Sequence, residues 1–344
     1  METKSKEKKT KYPSELRQDL VTGDWVVIAT GRSKRPEDFF AEREEIERIE
    51  KDEDKKCFFC FPEETGQEKD VLIYANSEGD WSLRVFPNKY PAFLRGKKIN
   101  HWEEGPYFAM DGVGYHELVV TRDHEKSIGQ LDVLAVAEII DAYQDRYISL
   151  MNKKSVNYID IFHNHGKSAG ASIVHPHSQL VAIPVISPYV KAELDGAEIY
   201  YRQNKQCVYC AMISWEKEKK LRVVFENDEY LAFCPFSSRV AFEVWVIPKK
   251  HKPYFERTGK EEKIKVAETL QGVLEKIYKR LNNPDYNFYI HTSPCDGKDY
   301  PHFHWHIEIL PKTSVWAGFE LSTGVEISTI EPEESARYLR EKML

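Results

Sequence analysis

Apolar and polar residues alternate along many short stretches of the chain, as they do in antiparallel strands with one covered face. Two longer segments, residues 128–152 and 262–281, repeat apolar residues at helical spacing instead and predict helices. The mixture predicts an α+β fold in which helices flank an antiparallel sheet. Strands are predicted at residues 24–29, 82–86, 116–121, 158–162, 180–183, 221–226, 230–233, 242–247, 286–291 and 304–310.

The order of these features occurs twice along the chain. In each copy a Cys-x-x-Cys pair is followed by strands, a single histidine, a long helix and a His-x-His pair. Duplication of one α+β unit explains this order. It predicts a disordered tail at residues 1–14, a first half at 15–192 and a second half at 193–344, with the charged stretch 193–206 as the connector. The His-x-His pairs are His175/His177 and His302/His304.

Cysteine and histidine recur in each half in a pattern that suits a metal ion. Zinc in structural sites takes four tetrahedral ligands drawn from thiolates and imidazoles. Each half offers two of each, so two structural zinc ions per chain are predicted as cofactors. Cys234 and Cys295 belong to no such motif and are predicted to be buried apolar residues. The predicted ligands are Cys57, Cys60, His124 and His175 in the first half, and Cys207, Cys210, His251 and His302 in the second.

Composition and charge narrow the class of function. The formal charge of −7 leaves no overall basic field to attract nucleic acid. No apolar run approaches the roughly 20 residues that span a bilayer. The basic N-terminus is followed by no apolar segment of a secretory signal, which also disfavours disulfides. A cytoplasmic protein without membrane or nucleic-acid partners is therefore expected.

Residues 162–179, FHNHGKSAGASIVHPHSQ, join a small-residue loop to a His-Pro-His-Ser-Gln segment. Backbone N–H groups of such a loop approach phosphate oxygens closely. On a strand His175, His177 and Gln179 share one face, so one histidine can bind metal while the next faces substrate. A neutral imidazole is nucleophilic near pH 7. His177 is therefore predicted to attack the α-phosphorus of a nucleotide; the alternative is a structural turn beside two ordinary histidines.

These residues resemble the galactose-1-phosphate uridylyltransferase family of the histidine-triad superfamily. The resemblance runs from about Leu16 to the C-terminus and is carried by residues 24–39, 84–93, 164–179 and 331–341. It implies a duplicated histidine-triad-like unit, with an antiparallel half-barrel sheet and flanking helices. It also implies a homodimer with active sites at the subunit interface.

The resemblance further implies roles for individual residues. His177 matches the nucleophile, and Gln179 matches the glutamine that hydrogen-bonds the transferred phosphate. Residues 316–323 match the region that holds the hexose phosphate and include Phe319, where a tyrosine is common, and Glu320. The positions that match phosphate or nucleoside contacts are Arg32, Arg35, Phe86, Asn88, Asn164, Gly170 and Ser172.

The second half departs from the best-known bacterial members, in which one glutamate and three histidines hold an iron ion. Glu193, His291, His306 and Glu308 fall near those positions, but the last is not a histidine. The second cysteine pair resembles instead a two-zinc branch that includes a plant-type ADP-glucose phosphorylase. The second metal is therefore predicted to be zinc, with iron or no metal as the alternatives. His304 and His306 are expected to be structural or sugar-side residues.

Three functions are compatible with these features. The first is uridylyl exchange, in which UDP-glucose gives its UMP to His177 and a hexose 1-phosphate, galactose 1-phosphate, takes it up by ping-pong kinetics. The second is adenylyl transfer from ADP-glucose to phosphate, as in an ADP-glucose phosphorylase. The third is a nucleotide-binding protein without catalysis, which has no need of a nucleophilic histidine. Three further histidines, His101, His116 and His165, are predicted to have no catalytic or metal-binding role.

Overall fold

The computed structural model describes residues 14–32, 57–96 and 98–341 of the chain. Residues 1–13 of the predicted tail and Arg35 lie outside these ranges, and Ser14 already belongs to the first strand. The strands are β1 (Ser14–Gln18), β2 (Trp25–Ala29), β3 (Leu72–Ala75), β4 (Trp81–Pro87), β5 (His101–Glu104), β6 (Tyr107–Met110), β7 (Tyr115–Thr121), β8 (Tyr158–His165), β9 (His177–Ile183), β10 (Val223–Glu226), β11 (Tyr230–Phe233), β12 (Val244–Pro248), β13 (Tyr286–His291), β14 (His306–Pro311) and β15 (Ile327–Ser328).

Six α-helices and four short 3₁₀ helices complete the described part of the chain. No described helix is long and apolar enough to cross a membrane. The α-helices are α1 (Val133–Leu150), α2 (Pro188–Asn204), α3 (Val208–Lys219), α4 (Lys260–Arg280), α5 (Gly318–Thr323) and α6 (Pro332–Arg340). The 3₁₀ helices are Thr30–Arg32, Ile128–Gln130, Lys167–Ala169 and Phe255–Arg257.

One ten-stranded sheet organises the fold, in the order β10-β11-β12-β14-β13-β8-β9-β7-β4-β3. All its neighbouring strands are antiparallel. From the central pair β8 and β13 outward, the strands of the two halves follow one another in the same order. The predicted α+β fold, with a duplicated unit and an antiparallel sheet, is therefore confirmed. Each predicted strand overlaps a strand of this structure.

Helices α1 and α4 pack together and cover one face of the sheet. Asp132 accepts a hydrogen bond from the Ala135 N–H at 2.9 Å and caps α1. This cap explains why the predicted helix from Ile128 is divided into a 3₁₀ turn and α1. Helix α4 begins where the Glu262 carboxylate accepts from the Gly259 N–H at 2.8 Å.

The other face of the sheet carries the residues singled out for chemistry. Ser178 and Leu180 of β9 point toward the helices, since the Ser178 hydroxyl contacts Tyr143 of α1 and Leu180 belongs to the main core. Alternation along the strand therefore places His177 and Gln179 on the opposite face. The register pairs His163 of β8 with Ser178, which brings Asn164 beside His177.

The chain between the halves is helical rather than an irregular connector. Helix α2 begins after Ser187, whose hydroxyl accepts from the Val190 N–H at 3.3 Å, and runs through most of the predicted connector. Residues 192 and 193, the predicted boundary, lie inside this helix. The charged surface of α2 hid its helical character in the sequence, and the division into halves at this point stays a prediction.

A substitution of Gly129 tests the contact between helix α4 and the 3₁₀ turn before α1. A Cβ added to Gly129 would lie 2.7 Å from the Leu274 carbonyl carbon and 2.9 Å from the Glu275 nitrogen, both backbone atoms. Gly129→Ala is expected to lower the free energy of unfolding by about 1–3 kcal/mol, because packed backbone has to move. Gly112→Ala is the matched control, since no atom lies within 4 Å of its added Cβ. Equal denaturant stability of the two variants would contradict this packing.

Candidate active site and metal centres

The first cluster of metal-ligand residues joins a turn to two strand ends. Cys57 and Cys60 lie on the turn, His124 follows β7, and His175 precedes β9. His175 Nδ1 lies 3.6 Å from the Cys57 sulfur, 3.4 Å from the Cys60 sulfur and 3.1 Å from His124 Nδ1. Tetrahedral zinc with its usual bond lengths separates such ligands by about 3.3–3.8 Å. The cluster therefore fits the predicted zinc in both donor type and spacing.

A backbone contact fixes how His175 presents itself to this cluster. Its Nε2 lies 2.7 Å from the Thr121 carbonyl oxygen, which only accepts hydrogen bonds. Nε2 must therefore carry the proton, and the lone pair of Nδ1 faces the cysteines. Metal-binding histidines are oriented in this way by a partner behind the ring.

The second cluster contains a correction to the sequence analysis. Cys207 occupies the N-cap position of α3 and Cys210 lies in its first turn. Their histidine partners are His251 and His304 rather than His302. The Cys210 sulfur lies 3.5 Å from His251 Nδ1 and 3.7 Å from His304 Nδ1. His304 is fully buried, whereas His302 is partly exposed and its ring contacts Tyr300.

The start of β14 explains this shift by two residues. Strand β9 begins at His177 and its metal-cluster histidine lies two residues earlier; β14 begins at His306, and His304 lies two residues earlier. The Nδ1 atoms of His177 and His306 each lie 3.0 Å from the carbonyl oxygen of the histidine two residues before. The equivalent pairs are therefore His175/His177 and His304/His306.

A third group of candidate metal ligands lies in the second half, between helix α2 and the sheet face opposite α1 and α4. Glu193, His291, His306 and Glu308 are all buried, and their ligand atoms lie within 4.8 Å of one another. Two carboxylates and two imidazoles suit a divalent transition metal. Arg239 pairs with the remaining oxygen of Glu308, which also accepts from the Tyr289 hydroxyl at 2.8 Å. These are the residues that fall near the iron ligands of the bacterial family members.

The predicted nucleophile His177 has a single available nitrogen. Its Nδ1 lies 3.0 Å from the His175 carbonyl oxygen, so Nδ1 donates and Nε2 keeps its lone pair. The side chain is 8% exposed, and burial lowers the pKa of His177 below its ordinary value. The ring is therefore neutral at pH 7, with Nε2 as its nucleophilic atom.

A buried network holds β9 from behind. The Tyr143 hydroxyl donates to Ser178 Oγ at 2.5 Å, and Ser178 Oγ lies 3.0 Å from His163 Nδ1. Because Ser178 precedes Gln179 and follows His177, this network fixes the strand that carries both. Local sequence patterns do not reveal these contacts, since the partners lie on α1 and β8.

Gln179 contacts a histidine to which the sequence analysis gave no role. Its Oε1 lies 2.9 Å from His116 Nε2, and Asn88 Nδ2 lies 3.3 Å from the same nitrogen. The Ala92 N–H donates to the other ring nitrogen, His116 Nδ1, at 3.3 Å. Strand alternation was the signal that could have identified His116, because residues 116, 118 and 120 of β7 share a face.

The small-residue loop before β9 is closed by its own hydrogen bonds. The N–H groups of Ala169, Gly170 and Ala171 donate to carbonyl oxygens within the loop, and that of Ser168 donates to Asp285. The N–H groups of residues 168–171 are therefore engaged within the protein, because Lys167–Ala169 folds as a 3₁₀ turn, and their contact with a phosphate stays a prediction. Ser172, which follows the turn, is exposed.

The same loop depends on the second half of the chain. Gly166 has φ 81°, and a Cβ there would lie 1.9 Å from the Asp285 carboxylate, so only glycine fits. Asn164 accepts from Asn287 of β13 at 2.7 Å, and Gly170 packs near the Asn164 amide nitrogen. The structure therefore brings Asn164, Gly170, His177 and Gln179 to one face, although two different halves position them.

Within the described part of the chain, His177 makes no hydrogen bond or ring contact with the other residues predicted to bind substrate. Phe86 is fully buried against Phe59, where it supports the sheet face beneath the site. Phe319 is 48% exposed on α5, and Glu320 accepts from the Ala317 N–H at the start of that helix. Only the backbone of Arg32 is described. The substrate roles of these residues, and of Asn88, Ser172 and Arg35, stay predictions.

A buried histidine beside a Cys/His cluster and two side-chain amides, on a duplicated antiparallel sheet, is the arrangement expected of a nucleotidyltransferase of the histidine-triad type. Residues 3–186, more than half of the chain, match the family described as galactose-1-phosphate uridyl transferase, N-terminal domain. The chain belongs to the galactose-1-phosphate uridylyltransferase family. Residues 110–344 also match a domain of unknown function.

Two relatives from this family are similar over nearly the whole chain. ADP-glucose phosphorylase from Arabidopsis thaliana is 34% identical over 96% of this chain and 93% of its own length. Galactose-1-phosphate uridylyltransferase from Thermotoga maritima is 29% identical over 95% and 98%. A crystal structure of the Arabidopsis phosphorylase with bound ADP-glucose superposes with a TM-score of 0.81, covering 96% of this chain and all of that one at 32% identity.

His304 and His302 form a matched pair for testing the second cluster. His304→Ala is expected to remove one metal ion per chain, because its Nδ1 faces the Cys210 sulfur. His302→Ala is expected to leave the metal content unchanged. Metal analysis of both variants, purified without chelator, measures this. Loss of metal from the His302 variant alone would restore the ligand set predicted from the sequence.

Proposed function

We propose that the protein transfers a nucleotidyl group from a nucleoside diphosphate sugar to an acceptor phosphate through His177. The observation that carries this proposal is the fixed tautomer of His177, whose Nδ1–H donates to the His175 carbonyl. Nε2 attacks the α-phosphorus, the bond to the bridging oxygen breaks, and the sugar 1-phosphate leaves. An oxygen of the acceptor phosphate then attacks the same phosphorus, the N–P bond breaks, and His177 is regenerated.

The surroundings of His177 suit the charge that this reaction creates. Once Nε2 is bonded to phosphorus, the ring is cationic, and its Nδ1–H makes a charge-assisted hydrogen bond to the His175 carbonyl. The amides of Gln179 and Asn164 lie on the same face and donate to the phosphate oxygens. A protein that only binds nucleotides has no need of this arrangement, which disfavours the third hypothesis.

We propose ADP-glucose as the donor and inorganic phosphate as the acceptor. The Arabidopsis ADP-glucose phosphorylase has the higher identity of the two relatives, and its crystal structure contains ADP-glucose. The cysteine pair of the second half supports the same branch. Uridylyl exchange between UDP-glucose and galactose 1-phosphate is the second candidate, supported by the similarity to the Thermotoga enzyme.

We further propose that both Cys/His clusters hold structural zinc. Each has four protein ligands of the types that zinc prefers, which leaves no position for substrate or water. Zinc in the first cluster would fix His175, whose carbonyl orients His177. The homodimer implied by the family resemblance and the cytoplasmic location expected from the sequence are retained as proposals, and light scattering in solution tests the dimer.

Covalent labelling tests the role of His177. Protein mixed with a nucleotide sugar labelled at the α-phosphate is expected to retain label, and His177→Ala is expected to reduce labelling by at least about three orders of magnitude. His101→Ala is the control, since His101 is exposed on β5 and contacts only Phe108 among the described rings. A folded His177→Ala variant that still turns over would exclude the mechanism.

Donor choice is a separate prediction. The specificity constant for ADP-glucose with inorganic phosphate is expected to exceed that for UDP-glucose with galactose 1-phosphate by at least about tenfold, which corresponds to roughly 1.4 kcal/mol of transition-state stabilisation. Both pairs are assayed with the same protein. A preference for the UDP-glucose pair would establish uridylyl exchange instead, while leaving the role of His177 unchanged.

A further inference from the structure

Gln179 and Asn164 lie on the same sheet face as His177, and each side-chain amide has two ends of opposite polarity. The oxygen of an amide accepts hydrogen bonds and the nitrogen donates them. Only the nitrogen end stabilises a phosphate, so an amide that rotates by half a turn presents a repulsive oxygen instead. The hydrogen bonds made by neighbouring groups therefore decide which end of each amide faces the substrate.

The orientation of the Gln179 amide follows from a backbone N–H group that is connected to it through two hydrogen bonds. The Ala92 N–H can only donate, and it points at His116 Nδ1 from 3.3 Å, so Nδ1 must accept. Burial lowers the pKa of His116, so the ring is neutral and carries its single proton on Nε2. His116 Nε2–H then donates to Gln179 Oε1 at 2.9 Å, and the Gln179 NH₂ group is left for the substrate.

The position of Asn88 agrees with this assignment only in part. Its Oδ1 accepts from the Tyr90 N–H at 2.9 Å, which turns its Nδ2 toward His116 Nε2 at 3.3 Å. A proton on His116 Nδ1 would relieve that contact between two donors. It would also set Nδ1–H against the Ala92 N–H, which cannot turn away. Rotation of the Asn88 side chain sacrifices only its hydrogen bond to the Tyr90 N–H, whereas the Ala92 N–H cannot turn, so the backbone group of Ala92 decides the tautomer.

The orientation of the Asn164 amide is fixed by a backbone carbonyl group. The Ala169 carbonyl oxygen can only accept, and Asn287 Nδ2 lies 2.8 Å from it. The same nitrogen donates to Asn164 Oδ1 at 2.7 Å, directly across the β8–β13 pair. The NH₂ group of Asn164 is therefore turned away from β13, toward Gly170 and the loop.

We propose that His116 and Asn287 are positioning residues that hold the Gln179 and Asn164 amides with their nitrogen ends toward the transferred phosphate. His116 accepts from the Ala92 N–H and donates to Gln179. Asn287 donates both to the Ala169 carbonyl and to Asn164. The inference rests on the proposed function, since it gives these amides the role of phosphate donors. It adds that Asn287 of the second half orients a residue of the active half.

Two substitutions of His116 separate this role from simple packing. Glutamine reproduces the Nε2–H donor, whereas asparagine reproduces only the acceptor for Ala92. In single-turnover labelling, His116→Gln is expected to stay within about threefold of the wild-type rate, and His116→Asn to fall about 10- to 100-fold, the range of a lost hydrogen bond to a charged group. Equal effects of the two variants would overturn the proposal.

Double variants test whether the effect passes through the amides. In a Gln179→Ala background, His116→Asn is expected to change the labelling rate by less than about twofold, because no amide remains to be oriented. Asn287→Ala is expected to behave in the same way in an Asn164→Ala background, and to slow labelling when introduced alone. A full additional loss in either background would show that the residue acts on another group.

A measurement without turnover separates this inference from the proposed function. In protein labelled with ¹⁵N-histidine, the His116 signals, assigned by their loss in His116→Gln, are expected to show a protonated Nε2 and a bare Nδ1. A protonated Nδ1 overturns this inference even if labelling is normal. If the wild-type protein forms no adduct on His177 but this tautomer is found, the proposed function fails and the inference stands.

Discussion

The site depends on one hydrogen bond, from His177 Nδ1–H to the carbonyl oxygen of His175. That carbonyl belongs to a residue whose ring faces two cysteine sulfurs and His124, with its own Nε2 held by the Thr121 carbonyl. A metal ion bound there would fix His175 and with it the carbonyl group that leaves the lone pair on Nε2 of His177. His175 of the first Cys/His cluster thus lies only two residues before His177. The hydrogen bonds of Ser178 hold the same strand from its other face.

Duplication supplied two copies of this arrangement, and the environment of the second histidine distinguishes them. His306 makes the same hydrogen bond to His304 as His177 makes to His175. Its Nε2, however, lies 3.2 Å from the Glu308 carboxylate, with Glu193 close by. Two carboxylates would repel a nucleotide phosphate, so the second half lacks the surroundings that suit His177 for the proposed transfer. It contributes instead Asp285 and Asn287, which hold the loop and the Asn164 amide of the first half.

Local sequence patterns were sufficient to predict the fold class, ten of the fifteen described strands, helices α1 and α4 and the composition of the first Cys/His cluster. They were insufficient where a choice depended on distant contacts. His302, His304 and His306 alternate along the chain, so spacing alone could not tell which pair corresponds to His175/His177; the start of β14 decides it. His116 and Asn287 act on residues far away in sequence, through strand neighbours that only the sheet order reveals. Helix α2 was missed because its charged surface hides the helical pattern.

The most direct test of this account is the position of the bond between histidine and phosphorus. Protein reacted with a nucleotide sugar in the absence of acceptor and digested to the peptide containing His177 gives an adduct whose ¹H–³¹P correlations distinguish the two ring nitrogens. Phosphorus is expected on Nε2 of His177, because Nδ1–H is held by the His175 carbonyl. Phosphorus on Nδ1, or on any residue other than His177, would contradict it.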